Sequence, residues 1–325
     1  MTQDTAQTAP WARRASLLAI AGTVTWLLSL LIPMPTDDLT ATVARLVTLG
    51  PLLMVPLGLS LLPQTPQTPM PWMYRAAIML QWPCAALALG SFYLPQGIAA
   101  GAMAVPWLGV TGLLALTGLD RLRQHKLGNL AELCATSALL YIPVGAVWWI
   151  AHRLNIELMG FDLMIVVLTA AHFHYAGFTA PLIAGLVGRA LPPQRPLASK
   201  LYLITGVAVV AGPPLIAIGI TISPLLEVVC SFILAAGLLV MSAVMMFFVA
   251  PRQSSPVAWV LVCVSALSLL LTMALACLYA WGEYTGHKII LIPRMAQVHG
   301  LVNVFGFSLC GLLGLRLGAP TQEEK

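Results

Sequence analysis

The chain has 325 residues, of which 59% are hydrophobic and only 8% charged, and its mean hydropathy is +0.91. A soluble domain carries about 25% charged residues, so this deficit excludes an ordinary water-soluble globule and places the chain among integral membrane proteins. The formal net charge of +5 does not argue for nucleic acid as a partner, because a polytopic protein keeps Lys and Arg in its cytoplasmic loops.

Crossing the hydrocarbon takes about 20 apolar residues in a helix. Taken in chain order, the apolar stretches predict ten spans, at roughly 15–33, 42–62, 72–93, 98–118, 128–150, 160–188, 200–220, 223–249, 256–281 and 294–316. Arg13 and Arg14 precede the first stretch, which ends at Pro33-Met34-Pro35 with no small-x-small cleavage site. It reads as an uncleaved span rather than a signal peptide. Between the seventh and eighth spans, Gly212-Pro213-Pro214 and Ser223-Pro224 both interrupt one long greasy region, and the cut is placed at 220–223. The longest connections, 64–73 and 188–199, carry Pro and polar residues, as surface loops do. Prolines also lie inside spans (Pro51, Pro56, Pro83, Pro106, Pro143, Pro181), where membrane helices tolerate them.

With the N-terminus in the cytoplasm and the loops alternating, only Arg45, Arg153, Lys288 and Arg294 of the 16 Lys and Arg fall outside. That asymmetry supports an even span count with both termini cytoplasmic. The expected fold is therefore an all-α transmembrane helix bundle. It forms a single integral membrane domain over 1–325, with short cytoplasmic tails at 1–14 and 317–325. The lipid bilayer is its first partner. The six cysteines lie in apolar stretches with no CxxC and no Cys-His pairing at metal spacing, and read as small hydrophobes. No residue set at metal-ligand spacing and no cofactor motif is present: the chain has no DDxxD, P-loop, GxSxG or HExxH.

Chemistry concentrates in the sixth span, at His172-Phe173-His174-Tyr175. Ionisable groups at membrane depth are costly and face a protein interior, a cavity or a partner. Two residues apart on a helix means about 200° of rotation, so the two imidazoles point to nearly opposite faces and cannot chelate one metal. One histidine could line a cavity while the other bonds to a neighbouring helix. His172 shares a face with Tyr175, and His174 with Phe178. In the tenth span His299 and Asn303 stack one turn apart, and Gly300, Gly306 and Gly311 would let another helix approach closely. Arg45, His152, Arg153, Asp162, Glu227 and Glu283 gather toward the outer side. Together these predict a polar pocket open to the outer face, with His172, His174, Tyr175, His299 and Asn303 at its floor and Glu227 and Arg45 near its mouth. The blander alternatives are helix-to-helix bonding for the histidines and Asn303, and snorkelling for Arg45, Asp162 and Glu283. The pair Trp148-Trp149 reads as an aromatic belt.

The words His172-Phe173-His174-Tyr175-Ala176-Gly177-Phe178 and His299-Gly300-x-x-Asn303-x-x-Gly306-Phe307 resemble the signatures of the YndJ-like family. The resemblance covers residues 130–316 and implies a multispanning bacterial protein, hence one of the inner (cytoplasmic) membrane, in a family often given a transporter label. His172-Phe173-His174-Tyr175 also resembles a piece of haem-copper oxidase subunit I, but the adjacent His-His pair which that family needs for copper is missing.

Two functions follow as expectations. The first is a secondary transporter or permease for a small molecule, with the midplane His and Tyr binding substrate or relaying protons. The second is an intramembrane enzyme on a lipophilic small molecule, with His172 or His299 as general acid or base and Tyr175 as proton donor. Weaker alternatives are a single haem held between His299 and a sixth-span histidine, and a ligand or metal sensor.

Overall fold

The computed structural model describes residues 3–62, 71–125, 128–192 and 194–318. Most of the connection expected at 64–73 and most of the C-terminal tail lie outside the described residues. Among the described residues there is no strand, and ten helical rods follow one another. They are α1 (Gln3–Ser29), α2 (Asp38–Leu61), α3 (Trp72–Ser91), α4 (Ile98–His125) and α5 (Leu130–Arg153). The remainder are α6 (Leu163–Ala190), α7 (Pro196–Ile222), α8 (Pro224–Arg252), α9 (Pro256–Thr285) and α10 (Ile292–Leu317). Eight are long and apolar enough to cross a bilayer, and α1 and α3 are the two that are not. Arg75 and Gln81 dilute the apolar character of α3, and α1 begins well before the apolar stretch, taking Arg13 and Arg14 into the helix.

The seventh and eighth spans part at Ser223, where the cut is expected. Ser223 is extended (φ −166°, ψ 139°), its hydroxyl accepts the Leu226 N–H at 3.2 Å, and Pro224 occupies the first helical position. Pro213 and Pro214 lie inside a continuous α7.

Four rods contain wide, π-helical turns: Gly50–Met54 in α2, Tyr175–Thr179 in α6, Met245–Val249 in α8, and Met295–Gly300 with Val302–Leu309 in α10. Proline explains the first. Pro51 brings no N–H to the helix ladder, and the Gly50 N–H turns to the Val47 carbonyl three residues back. In α6 the Thr179 hydroxyl donates to the His174 carbonyl at 3.0 Å across the wide turn.

The chain divides into two compact units. The first holds Met1–Lys126 and Thr136–Thr179, the second Leu127–Ala135 and Ala180–Lys325. The first unit is tied by buried and half-buried side-chain donors on neighbouring carbonyls. The Tyr74 hydroxyl bonds Leu59 O at 2.6 Å, Tyr93 bonds Ser29 O at 2.8 Å, and the Trp26 indole bonds Arg45 O at 2.8 Å. The second is tied similarly by Thr205 on Gly237 O (3.2 Å), Ser242 on Ala266 O (2.6 Å) and Ser265 on Phe307 O (2.8 Å). With little hydrophobic drive between helices in lipid, such bonds and close packing hold membrane bundles together.

Candidate functional site

His172, His174, Tyr175 and Arg45 belong to the first unit; Glu227, His299 and Asn303 belong to the second.

In the first unit the two histidines of α6 have opposite fates, as their angular separation requires. His174 is fully buried. Its Nδ1 lies 2.7 Å from the Ala170 carbonyl, which only accepts, so Nδ1 carries the proton. Its Nε2 receives the Trp107 indole N–H at 2.9 Å. Both nitrogens are therefore engaged, and the imidazole is held neutral in one tautomer. Trp107 stacks on the ring at a centroid distance of 6.0 Å, and Trp149 meets it edge-on at 5.9 Å. Gly50 of α2 and Gly145 of α5 complete the enclosure: a β-carbon on either would lie 2.9 Å from a His174 atom. Trp149 is thus a core residue rather than a member of an aromatic belt, since it packs on His174 and Phe92 and is almost wholly buried.

His172 is exposed. Its Nδ1 bonds to Leu168 O at 2.8 Å, one turn back, which leaves the Nε2 lone pair without a hydrogen-bond partner among the described residues. The expected common face for His172 and Tyr175 is not kept. Tyr175 opens the wide turn, joins His174 and Phe178 on the buried side, and donates its hydroxyl to Leu46 O at 2.6 Å. That carbonyl lies five residues before Pro51, which has no N–H to offer it. Gln81, fully buried in α3, donates to the Pro51 carbonyl, while its Oε1 has no partner among the described residues. Arg45 is half-buried in the third turn of α2, and its Nε has no partner among the described residues. Asp162 caps α6 by accepting the Ile165 N–H at 3.0 Å.

In the second unit His299 lies in the wide turn of α10 and reaches α9. Its Nδ1 donates to Thr272 O at 3.0 Å, and its Nε2 faces Asn303 Nδ2 at 2.9 Å. His299 and Asn303 are half-buried, one turn apart on one face. Gly306 and Gly311 allow the close approach expected of them, where a β-carbon would fall 2.2 Å from Ser268 Oγ and 2.7 Å from Ser265 Oγ respectively. Glu227 sits in the first turn of α8, where a carboxylate complements the helix dipole. Glu283 pairs at 3.9 Å with exposed Lys288. Among the described residues no three His, Cys, Asp or Glu cluster so as to hold a metal ion.

Sequence reasoning passed over Trp107, Gln81, Ser268 and Thr272. Trp107 carried a readable signal, being an indole N–H in the middle of an apolar stretch, away from the interface where Trp usually sits. Thr272 left none, because it acts through its backbone carbonyl.

Helical rods of membrane-spanning length, with neutral imidazoles bonded inside them, define a multi-spanning all-α membrane protein. The chain belongs to the YndJ-like family, described as YndJ-like protein, whose profile matches residues 45–307. It is 32% identical over 217 residues to a protein of Bacillus subtilis (strain 168) named uncharacterized membrane protein YndJ. That match takes in 67% of this chain but only 38% of the relative's length. No solved structure matches.

Proposed function

We propose that the protein is a secondary transporter for a small molecule in the bacterial inner membrane, and that His172 is its proton- or substrate-binding group. The observation that carries this reading is the contrast within α6, where His174 is locked by two partners while His172 offers a free Nε2 near mid-span. An imidazole nitrogen with an unshared lone pair can accept and return a proton or a substrate hydrogen bond during a transport cycle. The wide turns in α2, α6 and α10 support the same reading, since such turns concentrate at functional sites. The half-buried His299–Asn303 pair is proposed as a second polar station, and Tyr175, His174 and Gln81 as the frame that fixes α6 on α2 and α3.

The test needs no known substrate. His172→Cys is placed in a chain whose six native cysteines are replaced by alanine, and a membrane-impermeant maleimide is applied to right-side-out and to inverted vesicles. Alternating access predicts labelling from both sides. Labelling from one side alone favours a fixed catalytic pocket, and labelling from neither refutes the transport reading. His172→Ala is then expected to abolish uptake in a metabolite-exchange screen of proteoliposomes, which the wild type supports.

A further inference from the structure

At the end of the first unit closed by residues 92–97, a guanidinium is buried without a counter-charge. Arg153 ends α5 and is only 4% exposed. Its Nη2 donates to Leu94 O at 2.7 Å, its Cζ lies 5.0 Å from the centre of the Phe92 ring, and its Nε has no partner among the described residues. Beside it His152, equally buried, meets the same Phe92 ring at 5.8 Å with the planes tilted by 41°, and its Nδ1 also lacks a partner among the described residues. The carbonyls of both residues are occupied, His152 O by Gln96 Nε2 and Arg153 O by the Gly97 N–H, each at 2.8 Å. The loop therefore closes the helix end but leaves the cation without an anion.

The carboxylates at this end of the unit do not supply one. Asp37 and Asp162 cap α2 and α6 from exposed positions, and Asp38 and Glu157 are exposed as well. A buried charge is retained at a cost of several kcal/mol unless it is paired, and one carbonyl with one aromatic face is a weak substitute for a carboxylate. The planar guanidinium fork matches phosphate and carboxylate oxygens, and His152 Nδ1 can serve as a further N–H donor.

We propose that Arg153, with His152 beside it, is a receptor for an oxyanion at the end of the first unit closed by residues 92–97. The shared chemistry is a phosphate or carboxylate group, whether free in solution or borne on a lipid. The site stands apart from the transport reading: anion binding can be present where exchange is absent, and exchange of a neutral solute can occur without it.

The experiment uses the full chain in two arms. In detergent with zwitterionic lipid, inorganic phosphate and acetate are titrated calorimetrically. In parallel, native mass spectrometry compares retention of phosphatidylglycerol with that of phosphatidylcholine. Saturable binding in the first arm identifies a free anion, and selective retention in the second a lipid headgroup; either supports the site. Arg153→Gln is expected to weaken binding by roughly ten- to a hundredfold, the loss of a charge-assisted bond. Arg153→Lys, which keeps the charge without the fork, should fall between. Should Arg153→Gln not fold, wild-type binding together with Arg153→Lys and His152→Gln decides. The proposal is overturned if the wild type binds none of these probes saturably, or if the variants bind as the wild type does.

Discussion

The Trp107–His174 bond lends itself to a quantitative test by a double-mutant cycle. Trp107→Phe removes the indole N–H and leaves the fully buried Nε2 of His174 without a donor. An orphaned buried acceptor costs about 1–3 kcal/mol, and the lost part of a buried indole adds to it, so the single change should destabilise the protein by about 2–4 kcal/mol. His174→Leu leaves the indole N–H stranded at a comparable cost. In the double variant neither partner remains to be orphaned, so its loss should fall short of the sum of the singles by about 1–3 kcal/mol. Reversible unfolding by SDS in mixed micelles, followed by far-UV circular dichroism, supplies the free energies. Thiol labelling of the six free cysteines gives a second probe, since Cys134 and Cys230 are buried until the bundle opens. Additivity within about 0.5 kcal/mol would refute the reasoning, because it would mean that the two side chains do not satisfy each other.

Gly145→Ala should cost about 1–3 kcal/mol in the same titration, because its β-carbon would lie 2.9 Å from His174 Nδ1 and 3.0 Å from Cε1 on a ring already bonded at both nitrogens. Gly112→Ala, where nothing lies within 4 Å, is the neutral control. Glu132→Gln should destabilise the second unit by about 1–3 kcal/mol, since Arg189 Nε and Nη2 both donate to the same Glu132 oxygen at 2.9 and 2.6 Å. Hydrogen bonds from Thr40, side chain first and then backbone, hold the Asp37 carboxyl below its ordinary value of 3.8. A group depressed on folding stabilises above its unfolded pKa and loses that contribution as pH falls through the folded one. An acid titration of stability should therefore drop below about pH 3.8 in the wild type, and less steeply in Asp37→Asn.

Composition and the run of apolar stretches made the rods legible, because the bilayer imposes a length that a sequence must meet. Angular arithmetic also worked for His172 and His174, which depend on nothing but the helix that carries them. It failed for Tyr175, where a wide turn opens. Such a turn is chosen by distant partners, here the Leu46 carbonyl near Pro51, and no local pattern announces it. Glu227, expected just inside the eighth span, stands in the first turn of α8, because Ser223 rather than the Gly-Pro-Pro triplet breaks the chain. Trp149 was misjudged for a related reason: proximity to a span end suggests the interface, whereas His174 and Phe92 draw the indole into the core.

The broad turn at Gly50–Met54 also sets the phase of everything after it in α2. It accommodates one residue more than an ordinary turn, so Leu57 and Leu59 are rotated by about 100° from where an unbroken helix would aim them. Excising a single residue there would leave Arg45 and Leu46 in place and turn Leu57 and Leu59 out of the buried positions they now fill. Evolution of this helix should therefore proceed more readily by exchanging letters than by changing their number.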